Sequence, residues 1–399
     1  MRSRMVIVVI AAAALVAAAA APAGLAISAS AADTATRVAT AAGSGSRLGS
    51  AVAISGSTVV VGAPAWDNDR GEVYVYDRHS TRWSQQAVLR LGRGTRHYWF
   101  GDAVAISGST IIVGAFGADE NSGRVYVYVR IRSRWHRQAV LAAGRPRRGD
   151  RFGLSVGISG STAIVGAPNR DRAGQALVFV RHRTTWSRPI VLPGPGRSFG
   201  PYQFGAAVAL SGTLGVAGWP DINSSGTAWV FRRASATTWG QTAYLSPSPV
   251  VAYSQFGSSA AVSAAGIVIG APGADTGTAY LFTWYRHSWH QRLVLRSPGA
   301  DISFGTSVSG AGPLLLVGSP GIDSKQGAVY LYRHSGTRWR RTTTFAGPSA
   351  ESQPDSLFGN AVAMSRTTVV IGAPGLAPAR GAVYIYGRSG HSWKRQATF

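Results

Sequence analysis

The sequence predicts an all-β protein made of seven similar units, and three observations support this prediction. A Phe-Gly pair, worn to Leu-Gly in the first copy, recurs at spacings of 52, 52, 52, 52, 48 and 54 residues. Between successive pairs lie four runs rich in β-branched and aromatic residues, with glycines at the connections. No helical periodicity competes with these runs after residue 31. Four-strand units at a period near fifty are typical of a β-propeller, here with seven four-stranded antiparallel blades.

Each copy carries the same markers in the same order. A Val-Gly-Ala-Pro stretch follows the Phe-Gly pair, as at Gly62, and then a Gly-x-Val-Tyr stretch, as at Gly71. One tryptophan closes the copy, as at Trp83. The six complete Phe-Gly pairs are Phe100-Gly101, Phe152-Gly153, Phe204-Gly205, Phe256-Gly257, Phe304-Gly305 and Phe358-Gly359. These pairs are the structural repeat residues, and the propeller is predicted to span 48–399.

The four runs of a copy have different characters, which predicts their radial order. The first run contains small residues such as Ala51 and Ala53, which suit the innermost strand where blades converge. The second run, as in 58–61, is apolar on both sides, so both faces of each sheet must be covered by neighbouring blades. The glycine of Val-Gly-Ala-Pro is expected to let backbones approach closely. Tryptophan and tyrosine fill the wider space between outer strands.

This combination of motifs resembles the FG-GAP repeat family, found in the N-terminal propeller of integrin α chains and in bacterial exported proteins. The resemblance covers about residues 48–399. It implies a seven-bladed propeller, an extracellular location and a binding role that is often adhesive.

Residues 1–31 are interpreted as a secretory signal peptide. Arg2 and Arg4 precede an apolar stretch that ends in the small-x-small sequence Ala29-Ser30-Ala31. The alternative is an uncleaved membrane anchor, because the apolar run is long enough to span a bilayer. Residues 32–47 are predicted to be a flexible linker. The expected location is therefore secreted, extracellular or on the cell envelope, and the absence of cysteine excludes disulfides.

The sequence is compatible with two ways of closing the ring between the last blade and the first. Each copy contains its own four strand-like runs, which favours closure by packing of blade seven against blade one alone. In the alternative, the segment 34–40 adds a strand to the last blade, as the resemblance to integrins implies.

Calcium loops of the family are missing. Family members that bind the metal carry several acids between the first and second strands, because Ca²⁺ requires many oxygen ligands. Here that connection is Ser-Gly-Ser-Thr in the first three copies, and it is equally free of acids at 211–214, 263–266 and 365–368. We therefore expect no calcium in these loops and no other cofactor.

Acidic residues gather instead between the second and third strands. Asp67, Asp119, Asp171, Asp221, Asp275 and Asp323 occupy this connection in six copies. They are interpreted either as a ring of carboxylates on one ligand-binding face or, as the favoured alternative, as turn residues that bond their own backbone. An Arg-Gly-Asp tripeptide, Arg148-Gly149-Asp150, lies on the same face, where adhesive mimicry is a weaker alternative to ordinary repeat sequence.

No catalytic motif is present, so the protein is predicted not to be an enzyme. Most histidines recur at one position of the repeat, which indicates a structural role. The leading hypothesis is a binding or adhesion scaffold that presents loops on one propeller face. Two alternatives are a lectin-like carbohydrate binder using Trp66, Trp99 or Trp219, and a hydrolase or lyase with its site in the axial channel.

The net charge of +24 comes almost entirely from arginine. Arginine concentrates in the last two runs of each copy, as in 129–138, where charged side chains guard the exposed edge of an outer strand. The excess also suggests anionic cell-envelope polymers as partners, beside an unidentified protein or glycan ligand. We expect no nucleic-acid partner, a membrane contact only through an uncleaved anchor, and a monomer.

Overall fold

A computed structural model confirms an all-β fold of seven sheets. It describes residues 36–37, 45–92, 94–195, 203–220, 225–274, 276–298, 303–320, 327–336, 338–347, 356–375 and 380–399. Within each sheet the strands of one repeat pair antiparallel and follow the chain order from the first strand to the fourth. We call these sheets blades 1 to 7, and their strands A to D from first to fourth.

The chain begins with β1 (Thr36–Arg37), and its blades then follow in sequence order. Blade 1 contains β2 (Ala51–Ser55), β3 (Thr58–Ala63), β4 (Glu72–His79) and β5 (Arg82–Arg90). Blade 2 contains β6 (Val104–Ser107), β7 (Thr110–Ala115), β8 (Arg124–Ile131) and β9 (Arg134–Leu141). Blade 3 contains β10 (Ser155–Ser159), β11 (Thr162–Ala167), β12 (Gln175–His182), β13 (Thr185–Trp186) and β14 (Ile190–Val191). Blade 4 contains β15 (Val208–Ser211), β16 (Leu214–Trp219), β17 (Thr227–Arg233) and β18 (Trp239–Leu245).

The remaining three blades repeat this organisation. Blade 5 contains β19 (Ser259–Ser263), β20 (Gly266–Ala271), β21 (Thr278–Tyr285) and β22 (Ser288–Arg296). Blade 6 contains β23 (Ser307–Ala311), β24 (Leu314–Ser319), β25 (Ala328–Ser335) and β26 (Arg338–Ala346). Blade 7 contains β27 (Ala361–Met364), β28 (Thr368–Ala373), β29 (Ala382–Ser389) and β30 (Ser392–Thr398).

The A strands stand side by side around the axis of the ring. Strand β2 contacts β6 on one side and β27 on the other, which brings the first and last blades together. The B strands are buried on both faces, as in Thr58–Ala63. Neighbouring blades therefore supply the cover that the continuous apolar runs predict.

The two glycine motifs of the repeat pack against each other across each blade boundary. A Cβ atom on Gly62 of blade 1 would lie 1.8 Å from the carbonyl oxygen of Gly101, the Phe-Gly glycine that opens blade 2. The same contact closes the ring, because a Cβ on Gly372 would lie 2.0 Å from the carbonyl oxygen of Gly49. No larger residue fits these positions, which confirms the predicted close approach.

The phenylalanine of each Phe-Gly pair packs between two blades. Phe100 is fully buried, and its ring meets the edge of Tyr126 with centroids 5.5 Å apart. It shares a core cluster with Val73 of blade 1 and Ile111 of blade 2. Burial of such a side chain contributes about 2 kcal/mol, so the repeated phenylalanines are principal contacts between blades.

Ring closure combines the two alternatives that the sequence left open, so the expectation of packing alone is wrong. Strand β1 pairs in parallel with β30 and adds a fifth strand to blade 7, although the linker was predicted across this segment. Leu48 of blade 1 and Phe399 of blade 7 also share a core cluster. The Phe399 ring stacks on Tyr76 of blade 1 at 3.8 Å. An unpaired D-strand edge accepts a further strand, which a pattern of side chains alone does not reveal.

Two short elements follow β3 and β7. These are α1 (Trp66–Asp69) and α2 (Ala118–Asn121), and both contain left-handed residues. Asp67, Asn68 and Asp69 all have positive φ, so this element is a left-handed turn, not a regular helix. Among the described residues no helix is long and apolar enough to cross a membrane.

Candidate binding face and axial channel

The disc has two faces with different connections. The loop face is formed by the D-to-A connections between blades and the B-to-C connections within them. These connections are joined by backbone bonds, such as the one from Trp99 N to Asp69 O at 2.8 Å. The hairpin face carries the A–B and C–D hairpins, which are joined by bonds such as the one from Arg78 N to Ser57 O at 2.9 Å.

Three of the predicted carboxylates lie on the loop face, and each has an arginine partner. Arg70 donates to Asp67 at 2.6 Å, Arg124 donates to Asp119 at 2.6 Å, and Arg147 donates to Asp171 at 2.8 Å. These pairs neutralise the acids locally. Asp221, Asp275 and Asp323 lie outside the described residues. Within the part of the chain that the structure describes, no three metal-ligating side chains form a group.

The Arg-Gly-Asp tripeptide is split between the surface and the interior. Arg148 is 82% exposed, and its Nε lies 3.5 Å from Glu120 Oε2. Asp150 is only 3% exposed and accepts a hydrogen bond from Arg170 Nη1 at 2.5 Å. Gly149 N donates to the Glu120 carbonyl oxygen at 3.2 Å. The carboxylate that an adhesive tripeptide would offer is therefore enclosed, and this corrects the placement of Asp150 on a ligand face.

The three tryptophans of the lectin hypothesis are half-buried and engaged by neighbours. The Arg90 guanidinium lies over Trp66, 5.0 Å from the ring centroid. Trp99 stacks on Phe116 at 5.9 Å. Trp219 is at the end of β16 and packs against the cluster between blades 3 and 4. The structure does not bring these three side chains together into one sugar platform.

The A strands and the residues before them enclose a cavity of about 180 Å³ on the axis. Every blade contributes to its wall, mostly with alanine, valine and serine. Several of the hydroxyls are used within the fold; for example, Ser155 Oγ donates to the Gly205 carbonyl oxygen at 2.8 Å. The channel is narrow because seven A strands of small residues converge there.

Asp102 is the one acidic residue in this wall. It follows the Phe-Gly pair of blade 2, where the other blades carry Ser50, Leu154, Ala206, Ser258, Thr306 and Asn360. Its side chain is 1% exposed, and neither carboxylate oxygen has a hydrogen-bond partner among the described residues. Burial raises the pKa of Asp102 well above its usual value, while the charges of Arg47 and Arg151 lower that pKa in part.

Arg47 and Arg151 lie four residues before the A strands of blades 1 and 3, the two neighbours of the blade that carries Asp102. Each has positive φ, and its carbonyl oxygen accepts a hydrogen bond from the backbone N–H of the residue three positions later. This bond closes the tight turn around the Phe-Gly or Leu-Gly pair. A buried carboxyl without a partner costs free energy, and such groups concentrate at functional sites. The sequence analysis missed Asp102, although it is the only acid at its repeat position.

Together these features define a seven-bladed β-propeller with a polar site at the axial mouth of its loop face. A family model described as FG-GAP repeat matches residues 25–76, 83–128, 135–179, 239–282 and 351–386, which together exceed half of the chain. The chain belongs to the FG-GAP repeat family.

One similar solved structure is the Chaetomium thermophilum Sqt1 bound to the N-terminus of the ribosomal protein L10. It has a TM-score of 0.52 and 15% sequence identity, over 88% of this chain and 86% of that chain. At this identity the likeness concerns the fold. No curated protein matches the sequence.

Proposed function

We propose that this protein is a secreted, non-catalytic binding scaffold whose ligand contacts the loop face at the mouth of the axial channel. The observation that carries the proposal is the buried, unpartnered carboxyl of Asp102 between two arginines. A rigid ring surrounded by loops is a common platform for recognition.

The volume and chemistry of the mouth indicate what part of a ligand enters it. A cavity of about 180 Å³ accepts one side-chain-sized group, since complete small-molecule sites span about 300–1,000 Å³. The positive charges of Arg47 and Arg151 act on Asp102, and Asp102 is a hydrogen-bond donor when it is protonated. We expect these two charges and the Asp102 donor to favour an acidic group that projects from a protein ligand.

The test is a binding screen of immobilised extracellular proteins and a glycan array, followed by variants at the mouth. Asp102→Leu, which removes the donor and takes the residue of blade 3 at the same repeat position, and the double variant Arg47→Ala/Arg151→Ala are expected to weaken the binding that the screen detects by at least tenfold. Arg82→Ala and Arg132→Ala, on the hairpin face, remove the same number of charges and serve as the matched control. Equal losses in the two sets, or binding to glycans alone, would contradict the proposal.

Catalysis in the channel is the competing function. Asp102 is the single carboxylate or imidazole among the described wall residues, and general acid–base chemistry usually needs a second group. Screening of glycoside, ester and polysaccharide substrates is expected to show no turnover. Turnover that Asp102→Asn abolishes would replace the scaffold proposal with an enzymatic one.

The proposal includes export and independence from calcium. Mass spectrometry of the protein from culture medium is expected to give a chain that begins at Ala32. The A–B turn between Ser55 and Thr58 contains Gly56 and Ser57 and offers no carboxylate. We therefore expect the same melting temperature in calcium and in a chelator, and an increase with calcium would contradict this part.

A further inference from the structure

The hairpin face is cationic across the ring. Exposed arginines stand at the C–D hairpins of six blades: Arg82, Arg132, Arg183, Arg286, Arg338 and Arg388. The single acid that the described residues place on this face is Asp77, which is buried and paired with Arg130 at 2.8 Å. The described acids otherwise lie on the loop face or at the loop-face ends of strands. Such a uniform field attracts anions.

Tryptophans join neighbouring D strands at three blade boundaries. Nε1 of Trp83, Trp135 and Trp186 donates to Oε1 of Gln396, Gln86 and Gln138 at 3.0, 2.6 and 3.1 Å. Each glutamine lies three residues after the tryptophan of the preceding blade. This Trp-Gln bond closes the gap between outer strands of adjacent blades.

Blade 5 has Arg292 at the glutamine position, facing Trp339 of blade 6. Arg292 turns back onto its own blade: its guanidinium lies over Tyr285 at 5.2 Å, and its Nε donates to Thr283 Oγ1 at 3.3 Å. A cleft of about 720 Å³ occupies the boundary, lined by Arg292, His334 and Trp339. Blades 3, 4 and 6 also lack the glutamine, with Pro189, Thr242 and Thr342 at its position, and at the boundary after blade 5 an arginine at this position borders an open cleft.

The walls of this cleft combine aromatic and cationic groups. His334 packs against Trp339, with ring centroids 5.0 Å apart. Tyr285, which is 47% exposed, lies beside the cleft with Arg286 and Arg292 each 5.2 Å from its ring centroid. Aromatic rings pack against the C–H face of a pyranose, while guanidinium groups pair with carboxylate, sulfate or phosphate substituents.

We propose that this cleft between blades 5 and 6 binds a unit of an anionic polysaccharide, whose chain continues over the arginines of the hairpin face. The volume of about 720 Å³ lies within the range of about 300–1,000 Å³ that is usual for ligand sites. The site is on the opposite face from Asp102 and does not depend on the function proposed for the loop face.

The shape of the face favours a polysaccharide over the two other polyanions. A lipid bilayer would require apolar tips at many hairpins, whereas six of them present arginine and only a few, such as Ile131 and Trp284, expose large apolar side chains. Single-stranded nucleic acid uses successive aromatic platforms along a groove. On this face, the exposed aromatic side chains that the structure describes are Trp284 and Tyr285, both in blade 5.

The experiment measures binding of defined probes by calorimetry at several salt concentrations. Two anionic probes are tetrasaccharides, a sulfated one from heparin and the carboxylate-bearing tetragalacturonate. The third is a poly(glycerol phosphate) fragment that carries sugar substituents, and neutral cellotetraose is the comparison. At least one anionic saccharide is expected to bind more than tenfold more tightly than cellotetraose. Its affinity is expected to fall with salt, since binding releases counterions.

Variants separate the cleft from general attraction to the basic face. Arg292→Gln restores the Trp-Gln bond, so it is expected to close the cleft, raise the melting temperature and weaken binding at least tenfold. Arg292→Ala removes the charge but leaves the cleft open, and a smaller loss is expected. Arg134→Gln, at an exposed position on the same face, is the charge-matched control and is expected to change affinity less than threefold.

Three results would overturn the proposal. The first is an equal loss in Arg292→Gln and Arg134→Gln, which would indicate diffuse electrostatic binding. The second is equal affinity for cellotetraose. The third is tighter binding of a thymidine 20-mer or of phosphatidylserine vesicles than of every saccharide. Asp102→Asn is expected to leave saccharide binding unchanged, so failure here and failure at the loop face are distinguishable.

Discussion

Asp102 shows how one residue departs from its repeat. Six blades carry a neutral residue after the Phe-Gly pair, and three of these donate a side-chain hydroxyl to a nearby carbonyl oxygen: Ser50, Ser258 and Thr306. Asp102 has no such bond among the described residues. A carboxyl kept in this setting reduces stability, which is a reason to assign it a role in binding.

The pH dependence of stability should reveal this group. Because the pKa of Asp102 in the folded protein is raised above its usual 3.8, folding favours the protonated form. The contribution of this group to the free energy of unfolding is fully present below pH 3.8. It is lost as the pH rises through the pKa of the folded protein. Asp102→Asn is therefore expected to raise the melting temperature at pH 7, with a gain that disappears near pH 4. A variant less stable at pH 7 would contradict this, as measured by calorimetry across that range.

Asp150 illustrates the opposite case, a buried charge with a complete set of contacts. Arg170 binds its carboxylate and also donates to the carbonyl oxygens of Gly144 and Arg145. Removing one member of a buried pair leaves the other uncompensated, so Asp150→Asn is expected to cost about 3 kcal/mol of unfolding free energy. Asp67→Asn, at a partly exposed pair, is expected to cost less than about 1 kcal/mol. Similar losses in chemical denaturation would contradict the distinction.

At the scale of elements, the outer strands differ most between blades. In blade 3 the D strand is divided into β13 and β14, and Pro189 lies between them without an N–H to donate. In the other six blades the C and D strands pair with a register shift, as between Val75 and Tyr76. The A, B and C strands follow the repeat far more closely, since they pack between blades.

The fifth strand of blade 7 gives a test at this scale. Deleting residues 1–41 removes β1 but leaves four strands in every blade, together with Leu48 and Gly49 at the closure. The variant is expected to keep its far-ultraviolet circular dichroism spectrum and to melt a few degrees lower. Loss of cooperative unfolding would show that β1 is essential for closure.

At the scale of the whole molecule, the sequence was sufficient for the architecture. Phe-Gly, Val-Gly-Ala-Pro and Gly-x-Val-Tyr mark points where blades touch, so their spacing reveals the blade number directly. The candidate sites could not be predicted from the sequence, because they depend on an absent hydrogen-bond partner or an unfilled space beside a side chain. Neither the unpartnered carboxyl of Asp102 nor the opening beside Arg292 can be read from a repeat pattern without the contacts.

Closure of the ring can be tested through its glycine contact. Gly372→Ala would place a methyl group about 2.0 Å from the Gly49 carbonyl oxygen, so blades 7 and 1 must separate. Strain of this kind is expected to cost several kcal/mol. Gly390→Ala, at a hairpin tip with open space, is the control and is expected to cost about 1 kcal/mol because of its positive φ. Equal costs would show that the two blades do not meet as described.

The two faces of the disc carry different chemistry, with an enclosed acid and its arginines on one side and a broad cationic surface on the other. The most direct test measures the affinities of Asp102→Leu and Arg292→Gln for both the loop-face ligand and the anionic saccharide. We predict that each variant loses one ligand and retains the other. A variant that weakens both ligands, or a pair that weakens neither, would contradict the assignment of two separate sites.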